Sequence, residues 1–107
     1  MDTAANTFEL LSSVTATGAS AASQLGSTAK TCQVKGSTTS GAGAATIAVQ
    51  VTNDLNYPYV TIHTFSLTLS TTAVADVVAL FADYTYIRLN VTAISGTGAA
   101  VSGNIAV

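Results

Sequence analysis

The chain has 107 residues, of which 49% are hydrophobic and only 7% charged, with a formal net charge of -2. Three Lys+Arg against five Asp+Glu exclude a nucleic-acid binder, because phosphate contacts need clustered basic side chains. The apolar fraction excludes a disordered chain, and the length suits a single domain.

Ala, Thr and Ser dominate, with 19, 18 and 11 copies. Free soluble domains keep a quarter or more of their surface charged. A chain that omits this is expected to work within an assembly, where neighbours cover much of its surface.

At the start, Met1-Asp2-Thr3-Ala4-Ala5-Asn6 has neither a basic opening nor an apolar core, so no signal peptide is expected. Residues 1–7 read as an extended N-terminal arm. Residues 7–16 and 29–35 form weaker strand candidates, because Ala, Thr and Ser blur the alternation. Cys32 is alone, which leaves no intrachain disulfide and no cysteine-based metal site within one chain. The stretch Ser37-Thr38-Thr39-Ser40-Gly41-Ala42-Gly43 reads as a hairpin loop.

Period-two patterning then takes over. In residues 46–52, Ile47, Val49 and Val51 share a face, and Asn53-Asp54 closes the strand with turn residues. In residues 59–70, Phe65, Leu67 and Leu69 share a face with Thr61 and His63. The opposite face is apolar at Val60 and Ile62 and polar from Thr64 onward, a switch that predicts a bend, a bulge or a crossing between sheets.

Val74, Val77, Val78 and Phe81 recur at helical spacing, so residues 73–82 read as one short amphipathic helix, although the Val content also allows a strand. The longest apolar run, 77–82, is far too short to span a bilayer, which takes roughly 20 residues. Residues 84–93 form a strand with Thr85, Ile87, Leu89, Val91 and Ala93 inward and Tyr84, Tyr86, Arg88, Asn90 and Thr92 outward. Residues 95–98 make a turn, and a last strand places Val101, Ile105 and Val107 on one side.

Short β-branched strands separated by Gly/Ser turns predict an all-β fold: a single-domain antiparallel β-sandwich, jelly-roll or Ig-like, with at most one short helix.

Few residues suggest chemistry. His63 is the sole histidine, and no acid lies near it in sequence, so a half-buried strand histidine is expected rather than a catalytic base. The stretch from Gly36 to Gly43 has a phosphate-loop outline but carries Ala42 and Gly43 where the Lys and hydroxyl should stand. Asn53-Asp54-Leu55-Asn56 offers oxygen ligands but reads better as a turn. No enzyme, cofactor or metal is expected.

The interface candidates are Tyr57, Pro58, Tyr59, Tyr84, Tyr86 and Arg88. Tyrosine pairs a large contact area with a hydroxyl, and Tyr and Arg are frequent binding hot spots. The competing reading is a second core layer, with Arg88 paired to Asp83 or Asp54. Aligned tyrosines also suit sugar rings.

The segments Val49-Gln50-Val51-Thr52-Asn53-Asp54, Phe65-Ser66-Leu67-Thr68-Leu69-Ser70 and Tyr84-Thr85-Tyr86-Ile87-Arg88-Leu89-Asn90-Val91-Thr92-Ala93-Ile94-Ser95-Gly96-Thr97-Gly98-Ala99 carry a resemblance. In them, residues 46–107 resemble small bacteriophage virion proteins. Such sequences often carry Trp in an N-D-G-x-x-W stretch, whereas this chain has Asn53-Asp54-Leu55-Asn56-Tyr57 and no Trp. The resemblance implies a β-sandwich component of a phage particle, made in the host cytoplasm. With the small size and scarce charge, the expectation is a decoration or cement protein on the capsid surface. It would bind the major capsid protein as a dimer or trimer, with no nucleic-acid or membrane partner. The alternative is a tail- or fibre-associated adhesin domain that grips host carbohydrate with Tyr57, Tyr59 and Tyr84.

Overall fold

The computed structural model of the chain describes residues 7–24, 30–80 and 84–106. Nine strands run in order: β1 Thr7–Val14, β2 Gly18–Ala19, β3 Ser23–Gln24, β4 Lys30–Ser37, β5 Ser40–Thr52, β6 Val60–Leu69, β7 Val74–Leu80, β8 Tyr86–Thr97 and β9 Ala100–Ala106. One sheet has the order β1-β9-β4-β7 and the other β2-β8-β5-β6, with β3 continuing beside β8.

The pairing has a simple logic. Strands β1 and β9, β2 and β8, β4 and β7, and β5 and β6 are antiparallel partners whose paired residues lie almost symmetrically about positions 54–58. The chain is thus one long hairpin with its tip at the β5–β6 connection, rolled so that successive pairs alternate between sheets. That is the jelly roll, and the strand order separates it from the Ig-like alternative.

Each inner face is filled by alternate residues. Ile47 and Val49 of β5, Phe65 and Leu69 of β6, Ile87 and Leu89 of β8, and Val34, Val101 and Ile105 from the facing sheet are at most 1% exposed. Full burial of each such side chain stabilises the fold by ~1.5–3 kcal/mol. Glycine occupies two inward positions where neighbouring side chains leave no room for a Cβ. A Cβ on Gly36 would stand 2.8 Å from Val101 Cγ1 and 2.9 Å from Leu69 Cδ2. One on Gly103 would stand 2.5 Å from Leu89 Cδ1. Inward glycines leave no apolar mark in the sequence, which is why β4 and β9 alternate weakly there.

Several expectations need correcting. The short helix at 73–82 is instead strand β7, paired with β4 from Lys30↔Leu80 to Gly36↔Val74, and no helix occurs among the described residues. Its valines are β-branched and fit a pleated surface, so the helical spacing splits across two faces. Val74 and Val78 are half-buried, while Val77 is exposed. Phe81 and Ala82 lie outside the described residues, as do Asp83 and Val107.

The stretch 37–43 is no hairpin loop within a sheet. Thr38 and Thr39 step from β4 in one sheet to β5 in the other, and Thr38 is anchored by its N–H to Ser70 O (2.8 Å) and its hydroxyl to Gly41 O (2.6 Å). Strand β8 runs on through Thr97, which moves the expected turn to Gly98 and Ala99. Ala93 faces solvent because the register slips by one between Thr46 and Ile47, leaving Thr92 as the extra residue. The face switch in β6 does coincide with a bulge: Val49 pairs His63 and Gln50 pairs Thr61, so Ile62 is unpaired. Thr7 of the expected arm belongs to β1, and residues 1–6 lie outside the described residues.

Candidate functional site

The tip of the rolled hairpin is a turn that satisfies its own polar groups. The Thr52 hydroxyl donates to Asp54 O at 2.8 Å and accepts the Asp54 N–H at 3.3 Å. Asp54 Oδ1 accepts the Asn56 N–H at 2.9 Å, and Asp54 O accepts the Tyr57 N–H at 2.9 Å. This is the turn chemistry expected of Asn53-Asp54-Leu55-Asn56, with the carboxylate spent on backbone. The Thr85 hydroxyl ties the turn to the start of β8 by donating to Asn53 Oδ1 at 3.4 Å.

The braced turn and the start of β6 hold apolar side chains in solvent. Leu55 is 60% exposed, Tyr57 67% and Val60 60%. Beside them a cavity of about 470 Å³ is lined by Val51, Thr52, Asn53, Asp54, Tyr57, Pro58, Val60 and Tyr84. Three of the six predicted interface residues, Tyr57, Pro58 and Tyr84, therefore meet here. Tyr84 is half-buried against the core, and Lys30, itself buried, places Nζ 5.7 Å from the Tyr84 ring centre.

Tyr59 and Arg88 gather elsewhere. The Arg88 guanidinium carbon lies 3.8 Å from the Tyr59 ring centre, and Arg88 Nε donates to Gln50 Oε1 at 2.8 Å. Gln50 Nε2 in turn donates to the Thr61 hydroxyl at 3.3 Å. Arg88 is thus held by Gln50 and Tyr59 rather than by Asp54. Gln50 and Thr61 are the members that sequence reasoning missed. Gln50 is visible as the polar residue between Val49 and Val51, but its meeting with Arg88 depends on β5 lying beside β8. Tyr86, half-buried, pairs with Thr52 on one side and Gln24 on the other.

His63 is half-buried in β6, edge-on to Phe65 with ring centroids 4.7 Å apart. Cys32 lies fully in the core, where burial pushes its thiol up to about 12. Among the described residues no three His, Cys, Asp or Glu side chains gather as a metal site would require.

Chemically, the tip offers hydrophobic contact on a pre-formed frame. A turn already ordered by internal hydrogen bonds loses little further entropy on binding. The cavity falls within the size range of small-ligand or side-chain pockets. Compared with known proteins, the chain matches no family model, no curated protein and no solved structure.

Proposed function

We propose that the chain is a structural component of a bacteriophage particle: a decoration or cement protein on the capsid surface, bound to the major capsid protein and stabilising the head. The observation that carries this reading is the exposure of Leu55 and Tyr57 on the turn and of Val60 at the start of β6, beside a turn braced by the hydrogen bonds of Thr52 and Asp54. Docking these side chains removes apolar surface from water without stranding charge. Jelly rolls recur in viral capsid and lectin domains, a fold-level analogy that agrees with the resemblance of residues 46–107 to phage virion proteins. Repetition over a symmetric shell turns a modest single contact into firm attachment.

The test is to add purified protein to undecorated shells and measure co-sedimentation and shell melting. Binding with a raised melting temperature is the expected result. Shells that neither bind the protein nor melt later sink the cement reading.

The adhesin reading retains one favourable observation, since Tyr57, Tyr84 and Asp54 do share a concavity. Two others weigh against it. Tyr59 is engaged by Arg88, and the Thr52 hydroxyl and Asp54 Oδ1 are already hydrogen-bonded within the turn. Glycan-array binding that disappears in Tyr57→Ala would favour it over cementing.

A further inference from the structure

Charge is so sparse in this chain that the charged side chains among the described residues can be taken one by one. Arg88 is held by Gln50 and Tyr59, and Lys30 is buried beside Tyr84. The carboxylate of Asp54 takes the Asn56 N–H, and that of Asp76 takes the Val77 N–H at 2.8 Å. Among the described residues this leaves one acid and one base without an internal partner, Glu9 and Lys35.

They stand on the same surface. Glu9 of β1 pairs with Asn104 of β9, which pairs with Gln33 of β4, and Lys35 follows two positions along β4. Cys32 and Val34 point into the core, so Gln33 and Lys35 point outward. Glu9, Gln33, Lys35, Ser102 and Asn104 line one shallow hollow of about 220 Å³. The rest of the face is small and uncharged, with Thr31, Ala75 and Ala79 exposed and Val77 54% exposed.

We infer that the outward face of the β1-β9-β4-β7 sheet is a self-association surface, on which a second copy of the chain docks about a two-fold axis. Glu9 of each copy meets Lys35 of the other. One acid and one base separated on a flat face form the simplest charge pattern that complements itself under a two-fold rotation. Gln33 and Asn104 both donate and accept, so they complement themselves as well. Four strands ~4.8 Å apart and about seven residues long give a face of roughly 440 Å² per copy. That lies below the standard interface size, so the dimer is weak and salt-sensitive, and its two charge pairs govern orientation. The inference does not depend on the capsid reading, since the tip belongs to a different part of the fold.

The test is sedimentation of the full chain over a concentration series, at low and high salt. A reversible monomer–dimer equilibrium that weakens with salt is expected. Glu9→Lys and Lys35→Glu should each weaken it by about tenfold or more, and the double exchange should restore it. Val77→Arg, on the same exposed face, should block association independently, and thermal melts should show each variant folded. A monomer at every concentration, a trimer, or a dimer indifferent to the single exchanges overturns the inference. So does a monomeric protein in which these exchanges abolish only shell binding, because the face then serves another partner.

Discussion

Arg88 sits over Tyr59, its guanidinium carbon 3.8 Å from the ring centre, and so fastens the start of β8 to the residue that ends the hairpin tip. The contact joins a tip built for exposure to a sheet built for rigidity. Arg supplies what Lys lacks here: a planar cation that stacks on the ring while Nε bonds Gln50.

The pair should therefore be energetically coupled. A double-mutant cycle of Arg88→Ala and Tyr59→Leu, read by urea denaturation, should give a coupling of about 0.5–1 kcal/mol. Arg88→Lys should lose most of it. Strict additivity of the two substitutions counts against the clamp.

Two neighbouring glycines should respond differently to alanine. A Cβ on Gly43 would run into the Ser95 carbonyl oxygen and lie 2.9 Å from Thr38 Cγ2, and β5 cannot retreat without breaking its pairing with β8. Gly41→Ala meets open space and costs only its left-handed backbone, φ 71°. Gly43→Ala should lose about 2–3 kcal/mol and Gly41→Ala about 1 kcal/mol. Equal losses, or the reverse order, contradict the close approach of β5 and β8.

Cys32 makes stability fall at high pH. Its folded thiol is pushed up to about 12 by burial, whereas the unfolded thiol ionises near 9.0. Between those values the folded state holds the extra proton, so raising pH favours unfolding. The slope approaches ~1.4 kcal/mol per pH unit at most. Chemical denaturation from pH 8.5 to 11 should show this decline in the native protein and lose that component in Cys32→Ala. Thiol reagents at neutral pH should label the chain only when it unfolds.

Asp76 guards an edge. Strand β7 closes one side of its sheet with Val74, Val77 and Val78, and Asp76 opposes Val34 in register while remaining exposed. A charge aimed inward along an edge strand discourages pairing with another chain. Asp76→Val should leave the melting temperature nearly unchanged and raise the rate of aggregation, measured by light scattering below that temperature. An unchanged rate would assign edge protection to another feature.

The tip separates binding from folding. Leu55→Ser and Tyr57→Ala remove mostly exposed surface, so stability should move by no more than about 0.5 kcal/mol while shell binding drops. Retained binding in the double variant would move the capsid contact away from the tip.

Much of this was readable before any strand was placed. Ile47, Val49 and Val51, and likewise Phe65, Leu67 and Leu69, declare their inward face by alternation, and Asn53-Asp54 declares the turn. The misreadings share a cause. Val74, Val77 and Val78 fit two periods, and only pairing with β4 chose between them. Gly36 and Gly103 occupy core positions without an apolar signal. Of the six interface candidates, Tyr57, Pro58 and Tyr84 converge on the tip cavity, Tyr59 and Arg88 bind each other, and Tyr86 joins neither group.

The division is physical. Alternation, turn chemistry and the shortage of charge are local properties, so the sequence alone determined the all-β class, most strand faces and a surface poor in ions. Which strands lie side by side depends on register between segments far apart, set by the rolled hairpin and by the shapes of the two inner faces. Only that packing brought Arg88 to Gln50 and Tyr59, Tyr84 to Tyr57, and Glu9 onto the face that carries Lys35. No local pattern encodes such meetings, because each joins residues whose own neighbours in sequence are ordinary.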